Sequence, residues 1–319
     1  MRNIETKDFY AVKETHDGLF CTSQDGISCI LQSKDRKIYI IIFNSQKRII
    51  GINTRDSYIS YYPLRDVEIE RPIKAVLMDL DGTTLYSERF WIHVIEETIR
   101  LAAHDAAFFV TEVDIPFVSG HSVSEHLQYC IDKYYPLCCL VDAINIYYDV
   151  SHRELDALIH GQLRGMQVQP AFYLKEFLHH LSDNEIKIGL VTSGLYEKAY
   201  PEIWSVCSSL ELGTPESTYN SIITAGYPLK DHHIGTLGEL SSKPHPWLYL
   251  EAAIVGLGIP FSERSHVIGI EDSGAGICAL CAAGIPSIGM RNGNITRSGL
   301  ESLCSDMCNS LEEIKEKYL

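Results

Sequence analysis

The chain has 319 residues, 45% of them hydrophobic and 22% charged, which is typical of a globular protein large enough for two domains or for one domain with a sizeable insertion. Its formal net charge of −15 argues against a nucleic-acid partner, because phosphate backbones bind basic surfaces. The sequence shows neither a leader segment nor an apolar run long enough to cross a bilayer, so we expect a cytoplasmic protein without membrane contact, whose ten cysteines are mainly small buried residues.

Residues 1–70 form a predicted β-rich module that differs from the rest of the chain. Three apolar runs rich in β-branched residues, separated by polar turns, lie at residues 26–32, 37–43 and 48–53. This pattern predicts an antiparallel meander, and the charged stretch 65–71 is predicted to link it to the main domain. The module carries no recognisable chemistry. We expect it to pack on the main domain or to mediate homo-oligomerisation, and an accessory ligand-binding role is the alternative.

From Lys74 onward, apolar strands alternate with helical patterns, which predicts an α/β fold with a doubly wound, Rossmann-like parallel sheet. The predicted strands are 74–79, 187–192, 221–225, 266–270 and 286–289. The predicted helices of this part are 171–182, 246–255 and 275–283. The core domain would therefore comprise residues 71–88 and 172–319.

Residues 89–171 are predicted to form a helical cap inserted after the first strand, because the connection is far longer than a crossover helix requires. Helical periodicity occurs in four segments, at 88–103, 123–133, 136–147 and 153–165. A lid at this place could close over the end of the first strand and exclude water.

The most informative motif is Asp79-Leu80-Asp81-Gly82-Thr83-Thr84, directly after the first strand. Ligands of open α/β sheets bind at the carboxyl ends of the strands. The carboxylate of Asp79 can attack an electrophile there. The carboxylate of Asp81, on the loop beyond, can donate and accept a proton.

Two further motifs offer groups that bind phosphate. Thr192-Ser193-Gly194 follows the second strand, and its hydroxyl and backbone N–H groups suit a phosphate oxygen. Ser242-Lys243-Pro244 opens a predicted helix, so that Lys243 can screen a phosphate from an attacking carboxylate.

The fourth motif, Glu271-Asp272, ends the strand 266–270. Two adjacent carboxylates repel each other unless a cation lies between them. Mg²⁺ takes oxygen ligands and is usually held by one or two carboxylates together with a substrate phosphate. The pair therefore predicts a magnesium site.

Together the four motifs resemble those of the haloacid dehalogenase superfamily of phosphotransferases. The resemblance covers residues 73–290 and leaves residues 1–70 unexplained. The position of the insertion resembles the members with a helical cap between the first and second motifs. That group includes β-phosphoglucomutase, phosphoglycolate phosphatase and sugar-phosphate phosphatases.

The resemblance implies a role for each matched residue. Asp79 would be the nucleophile that forms an aspartyl-phosphate, and Asp81 the acid for the leaving oxygen and then the base for water. Thr192 and Lys243 would hold the transferring phosphoryl group. The implied Mg²⁺ ligands are Asp79, Asp81 through its backbone carbonyl, Glu271 and Asp272. The implied phosphate- and substrate-binding residues are Gly82, Thr192, Ser193, Gly194, Lys243 and, on a loop that resembles the substrate-specificity loop, His121.

The implied function is that of a Mg²⁺-dependent phosphatase acting on a small phosphorylated metabolite. Asp81 favours a phosphate ester over a haloacid, because a halide leaves without a proton. A β-phosphoglucomutase-like phosphomutase is the alternative, although Trp91 stands where the mutase has a histidine and an apolar residue near Val123 where it has an arginine. A regulatory or binding protein on the same scaffold is the alternative outside enzymes.

Overall fold

The structure is a computed structural model of the chain. It describes residues 12–14, 20–22, 26–33, 38–53, 59–115, 123–162, 168–225 and 241–319. Among these residues, no helix is both long and apolar enough to span a bilayer.

The N-terminal part is antiparallel, as predicted, but it has more strands than the three predicted. A two-stranded sheet pairs β1 (Val12–Glu14) with β2 (Phe20–Thr22). A four-stranded meander comes next, with β3 (Ile27–Gln32), β4 (Ile38–Phe43), β5 (Arg48–Asn53) and β6 (Ile59–Leu64). β6 was not predicted because it contains Pro63, which is unfavourable in most strands. Pro63 is tolerated because β6 is an edge strand of this sheet, where a missing N–H donor costs little.

The central sheet has six parallel strands in the order β11-β10-β7-β12-β13-β14. The strands after β6 are β7 (Ala75–Asp79), β8 (Leu85–Tyr86), β9 (Gln169–Pro170), β10 (Lys187–Thr192), β11 (Ser221–Thr224), β12 (Val267–Glu271), β13 (Ser287–Met290) and β14 (Asp306–Cys308). The short strands β8 and β9 pair with each other. The five predicted strands are all present, whereas β14 was not predicted.

Helices cover both faces of this sheet. The helices of the described residues are α1 (Glu88–Ala103), α2 (Val123–Tyr134), α3 (Leu140–Ile159), α4 (Leu174–Asp183), α5 (Tyr196–Ser209), α6 (Pro215–Thr218), α7 (Trp247–Leu250), α8 (Gly274–Ala283), α9 (Ile295–Ser298) and α10 (Leu311–Tyr318). A π-helical turn (Glu251–Gly256) continues α7. Short 3₁₀ helices occupy Phe261–His266 and Glu301–Leu303.

The burial pattern of β7 shows why the sheet lies at the centre. All five residues of β7 are buried. Val76 and Met78 pack into one hydrophobic cluster, and Ala75 and Leu77 into another, so that the two faces of the strand contribute to different cores. Continuous apolar burial of this kind is what a parallel sheet covered on both faces requires. The predicted α/β fold class is therefore confirmed.

The helices α1–α3 lie between β8 and β9, and we call them the helical insertion. Two predicted helices, 136–147 and 153–165, are wrong in their bounds, because a single helix, α3, spans Leu140–Ile159. No glycine or proline interrupts residues 148–152, and Val150 in the middle of that stretch is buried. The continuous helix packs against both α1 and α5.

The four-stranded sheet β3–β6, which we call the N-terminal sheet, packs against α8 through a hydrophobic cluster. Ile38, Ile50 and Ile52 of the sheet are buried there together with Ile277 and Cys278 of α8. Apolar side chains that the β module alone would expose are thereby removed from water.

Candidate active site

Three of the predicted residues stand at the carboxyl ends of neighbouring strands. Asp79 ends β7, Thr192 ends β10 and Glu271 ends β12. Both β10 and β12 pair with β7 in parallel, and Val191 lies opposite Asp79. Because the three strands run in the same direction, these side chains meet at one edge of the sheet.

Lys243 reaches this edge from a distant part of the chain. Its side chain is only 6% exposed. The ammonium forms an ion pair with Asp79, lies 2.7 Å from Oε1 of Glu271, and donates to the backbone carbonyl of Val191 at 3.0 Å. Burial alone would lower the pKa of Lys243, but the two carboxylates outweigh it and raise the pKa. The cation is therefore retained in the interior, beside the predicted nucleophile.

Tyr249 completes this cluster and was not predicted from the sequence. Its ring lies 5.0 Å from the Lys243 ammonium, and its hydroxyl donates to Oε1 of Glu271 at 2.5 Å. Burial, followed by the charge of Glu271, raises the pKa of the Tyr249 hydroxyl, so that it remains a hydrogen-bond donor. A tyrosine in an apolar helical pattern offers no signal that separates this role from ordinary core packing.

Asp79, Glu271 and Asp272 form an acidic cluster whose carboxylate oxygens lie within 4.8 Å of one another. Burial is the main cause that raises the pKa of Asp79, and the neighbouring Glu271 raises it further. Burial and Glu271 also raise the pKa of Asp272, to about 7. The Lys243 ammonium contacts Asp79 and Glu271, and the raised pKa values of Asp79 and Asp272 reflect burial and mutual repulsion that a bound cation would relieve. The donors are all oxygen atoms, which suits Mg²⁺.

Asp81 and Gly82 lie on the loop after β7. The Asp81 side chain is 41% exposed, and it accepts a hydrogen bond from Oγ of Ser87 at 2.5 Å. Gly82 has a φ of +87°, and a Cβ atom at this position would overlap the Asp272 carboxylate. Glycine is needed here both for the backbone conformation and for the close approach to the acidic cluster.

The Thr192-Ser193-Gly194 loop lies against the Lys243 segment. The Thr192 hydroxyl is almost fully buried and accepts from the backbone N–H of Gly194 at 2.9 Å. The backbone N–H of Lys243 donates to Oγ of Ser193 at 3.1 Å. Two motifs about 50 residues apart in sequence therefore lie in contact.

A second polar cluster borders Asp81 and was also missed. The Lys198 ammonium lies 3.6 Å from Oδ2 of Asp81 and 4.8 Å from the centre of the Trp91 ring. The indole N–H of Trp91 donates to Oε1 of the buried Glu202 at 2.6 Å. The only sequence signal was the spacing of Lys198 and Glu202 on one helix, since residues four apart lie on the same face.

The remaining predicted residue, His121, lies outside the described residues, and so does the loop around it. Its role as a substrate contact stays a prediction.

The chain is similar to known proteins in its fold. No protein-family model matches the chain, and no curated protein matches it in sequence. Among solved structures, a putative β-phosphoglucomutase from Thermotoga maritima matches with a TM-score of 0.56 at 19% identity, over 77% of this chain and 100% of that one. CbbY from Rhodobacter sphaeroides, solved with phosphate, matches with a TM-score of 0.54 at 16% identity, over 76% and 96%.

A hydrolase of the haloacid dehalogenase (HAD) family from Deinococcus radiodurans, solved with phosphate and sodium, matches with a TM-score of 0.52 at 20% identity, over 77% of this chain and 94% of that one. The chain has the haloacid dehalogenase fold. The resemblance inferred from the four motifs is confirmed at the level of the fold, and the motif residues Asp79, Thr192, Lys243 and Glu271 meet at one edge of that fold. About a quarter of this chain lies outside the part shared with these solved structures.

Proposed function

We propose that the chain is a phosphatase that hydrolyses a phosphate monoester of a small metabolite. The observation that carries the proposal is the position of Lys243, whose ammonium contacts both Asp79 and Glu271 at the carboxyl edge of the sheet. A nucleophilic carboxylate, a cation for phosphate and a set of metal-binding oxygens thereby share one site. This combination supplies the positioning and charge neutralisation that phosphoryl transfer requires.

The acidic cluster fits a divalent cation, in our proposal Mg²⁺. Asp79, Asp272 and the backbone carbonyl of Asp81 would hold it, with Glu271 beside them. When bound, the cation would neutralise charge on the phosphoryl oxygens and so reduce the repulsion between substrate and nucleophile.

The chemistry assigned to the chain's own residues has two steps. An oxygen of Asp79 attacks phosphorus, the bond from phosphorus to the ester oxygen breaks, and Asp81 gives its proton to that oxygen. Water then attacks the phosphorus of the aspartyl-phosphate while Asp81 accepts a proton from that water. The bond from phosphorus to the Asp79 oxygen breaks, which releases inorganic phosphate and restores the Asp79 carboxylate. The exposed position of Asp81 and its hydrogen bond from Ser87 support this double use.

A phosphomutase is the second candidate, because a putative β-phosphoglucomutase has a similar fold. Trp91 argues against a phosphomutase. The family resemblance implies a histidine at this position in the mutase, whereas the indole N–H here is engaged by Glu202. An indole also cannot exchange a proton near neutral pH as an imidazole can.

The proposal is tested with para-nitrophenyl phosphate and purified protein. We expect Mg²⁺-dependent release of nitrophenol by the wild type. Asp79→Asn should lower it by at least about 1,000-fold, since the nucleophile is lost. Thermal unfolding of the variant should remain cooperative, because Lys243 keeps Glu271 as a partner. Turnover that needs no metal, or that survives Asp79→Asn, would contradict the proposal.

A separate assay distinguishes the two candidates. With β-glucose 1-phosphate and a catalytic amount of glucose 1,6-bisphosphate, a phosphomutase would form glucose 6-phosphate faster than it releases inorganic phosphate. We expect the reverse order. A panel of phosphorylated metabolites would then define the substrate.

A further inference from the structure

The segment that carries Lys243 is held from two sides. Toward the site, Lys243 contacts Asp79 and Glu271, and Tyr249 contacts Glu271. Between these two residues, His245 and Trp247 contact Tyr62 of β6, a strand of the N-terminal sheet. One short segment, residues 243–249, thus joins the candidate active site to a part of the chain that carries no recognisable chemistry of its own.

The contact with the N-terminal sheet is a specific polar one. Oη of Tyr62 and Nδ1 of His245 lie 2.7 Å apart, which is a short, well-formed hydrogen bond. The Tyr62 ring meets His245 and Trp247 edge to face, with ring centres 5.9 and 6.3 Å apart. Burial lowers the pKa of His245, which favours the neutral imidazole that this hydrogen bond accommodates.

The sheet that contains Tyr62 is held in place by packing against α8. Ile50 and Ile52, on the strand that pairs with β6, are fully buried against α8. The helix α8 begins just after Glu271 and Asp272, at the same edge of the central sheet. Tyr62 therefore belongs to a sheet that packs on the helix directly following Glu271 and Asp272.

We propose that Tyr62 is a positioning residue of the site, which fixes through His245 the place where the segment presents Lys243 to the phosphoryl group. This inference rests on the proposed phosphatase function. A lysine side chain has four rotatable bonds, so its ammonium is placed accurately only if its backbone is held. The backbone N–H of Lys243 donates to Ser193 on one side, and the Tyr62–His245 bond secures the other.

The test compares two tyrosines of the same strand. Tyr62→Phe removes one hydroxyl and keeps the ring, whereas Tyr61→Phe removes the same atom from the neighbouring residue, which is 56% exposed. We expect Tyr62→Phe to lower kcat/KM for para-nitrophenyl phosphate by about 5- to 20-fold, since small misplacements of catalytic groups are costly. The inhibition constant for inorganic phosphate should rise with it. Tyr61→Phe should stay within about twofold of the wild type for both quantities.

The variant His245→Ala tests independently whether Tyr62 acts through His245. If the two residues act as one unit, the double variant Tyr62→Phe/His245→Ala should lose no more activity than His245→Ala alone. Each variant is assayed well below its melting temperature, so that a change in the inhibition constant reports the site and not unfolding.

Two results would overturn the inference. One is a Tyr62→Phe variant whose kcat/KM and phosphate inhibition constant match those of Tyr61→Phe. The other is a double variant whose loss is the product of the two single losses. In either case the proposed phosphatase stands, provided the wild type shows turnover that depends on Asp79. If that turnover is absent, the proposed function fails first and this inference fails with it.

Discussion

Glu202 is a buried carboxyl group whose charge has little compensation. One oxygen accepts from Trp91, while Oε2 has no hydrogen-bond partner among the described residues. Burial raises the pKa of Glu202 to about 8, against the lowering effect of the Lys198 ammonium. This raised pKa favours the protonated carboxyl group at neutral pH in the folded chain, whereas the exposed group of the unfolded chain is ionised.

This shift has a definite effect on stability. Because the pKa is higher in the folded state, the folded chain binds more protons than the unfolded chain between about pH 4.5 and pH 8, so stability falls as the pH rises through that window. Glu202→Gln keeps the shape and removes the titration. We expect the variant to be more stable than the wild type at pH 8 by a few kcal/mol, since one pKa unit corresponds to about 1.4 kcal/mol.

The measurement is urea unfolding of both proteins at pH 5 and at pH 8. The advantage of Glu202→Gln should be much smaller at pH 5 than at pH 8. The same advantage at both values would show that Glu202 is ionised in the fold.

Asp81 allows a second prediction at this scale. A general acid matters most when the leaving oxygen is a poor leaving group, because nitrophenolate departs readily without a proton. We expect Asp81→Asn to reduce kcat/KM for an alkyl phosphate at least about tenfold more than for para-nitrophenyl phosphate. Steady-state assays with both esters measure this. An equal loss of kcat/KM for the two esters would show that Asp81 is not the general acid.

At the scale of elements, the contact between the N-terminal sheet and α8 should be energetically important. Ile50 on β5 is fully buried, whereas Ile30 on β3 is 49% exposed. Ile50→Ala should lower the free energy of unfolding by about 2 to 5 kcal/mol, through lost burial and a residual cavity. Ile30→Ala should change it by less than about 0.5 kcal/mol. Denaturant midpoints of the two variants test this, and similar midpoints would mean that the sheet contributes little to folding.

The elements themselves were predictable where a strand is buried on both faces. Continuous apolar runs identified β7, β10 and β12, because a strand covered on both sides has little room for polar residues. The bounds of α3 were not predictable from periodicity, since its polar residues near Tyr148 resemble a break. The edge strands β6 and β14 were not predicted. β6 contains Pro63 and alternates between exposed and partly buried residues, and β14 has only three residues.

At the scale of the molecule, three parts contribute to one site region. The central sheet supplies the acidic cluster, the helical insertion supplies Trp91 beside Lys198, and the N-terminal sheet supplies Tyr62. The boundaries at residues 70, 88 and 171, homo-oligomerisation through the N-terminal module and a cytoplasmic location stay predictions.

The candidate site residues that end the buried strands could be found from the linear order alone. Asp79, Thr192 and Glu271 each end a buried strand, and parallel strands bring such positions to a common edge whatever the loops do. Tyr62, Tyr249 and the pair Trp91–Glu202 could not be found in this way. Tyr62 and His245 are 183 positions apart, and no local pattern records that they touch. Such pairs arise when separately formed elements pack, because close packing and not chain order selects which side chains meet.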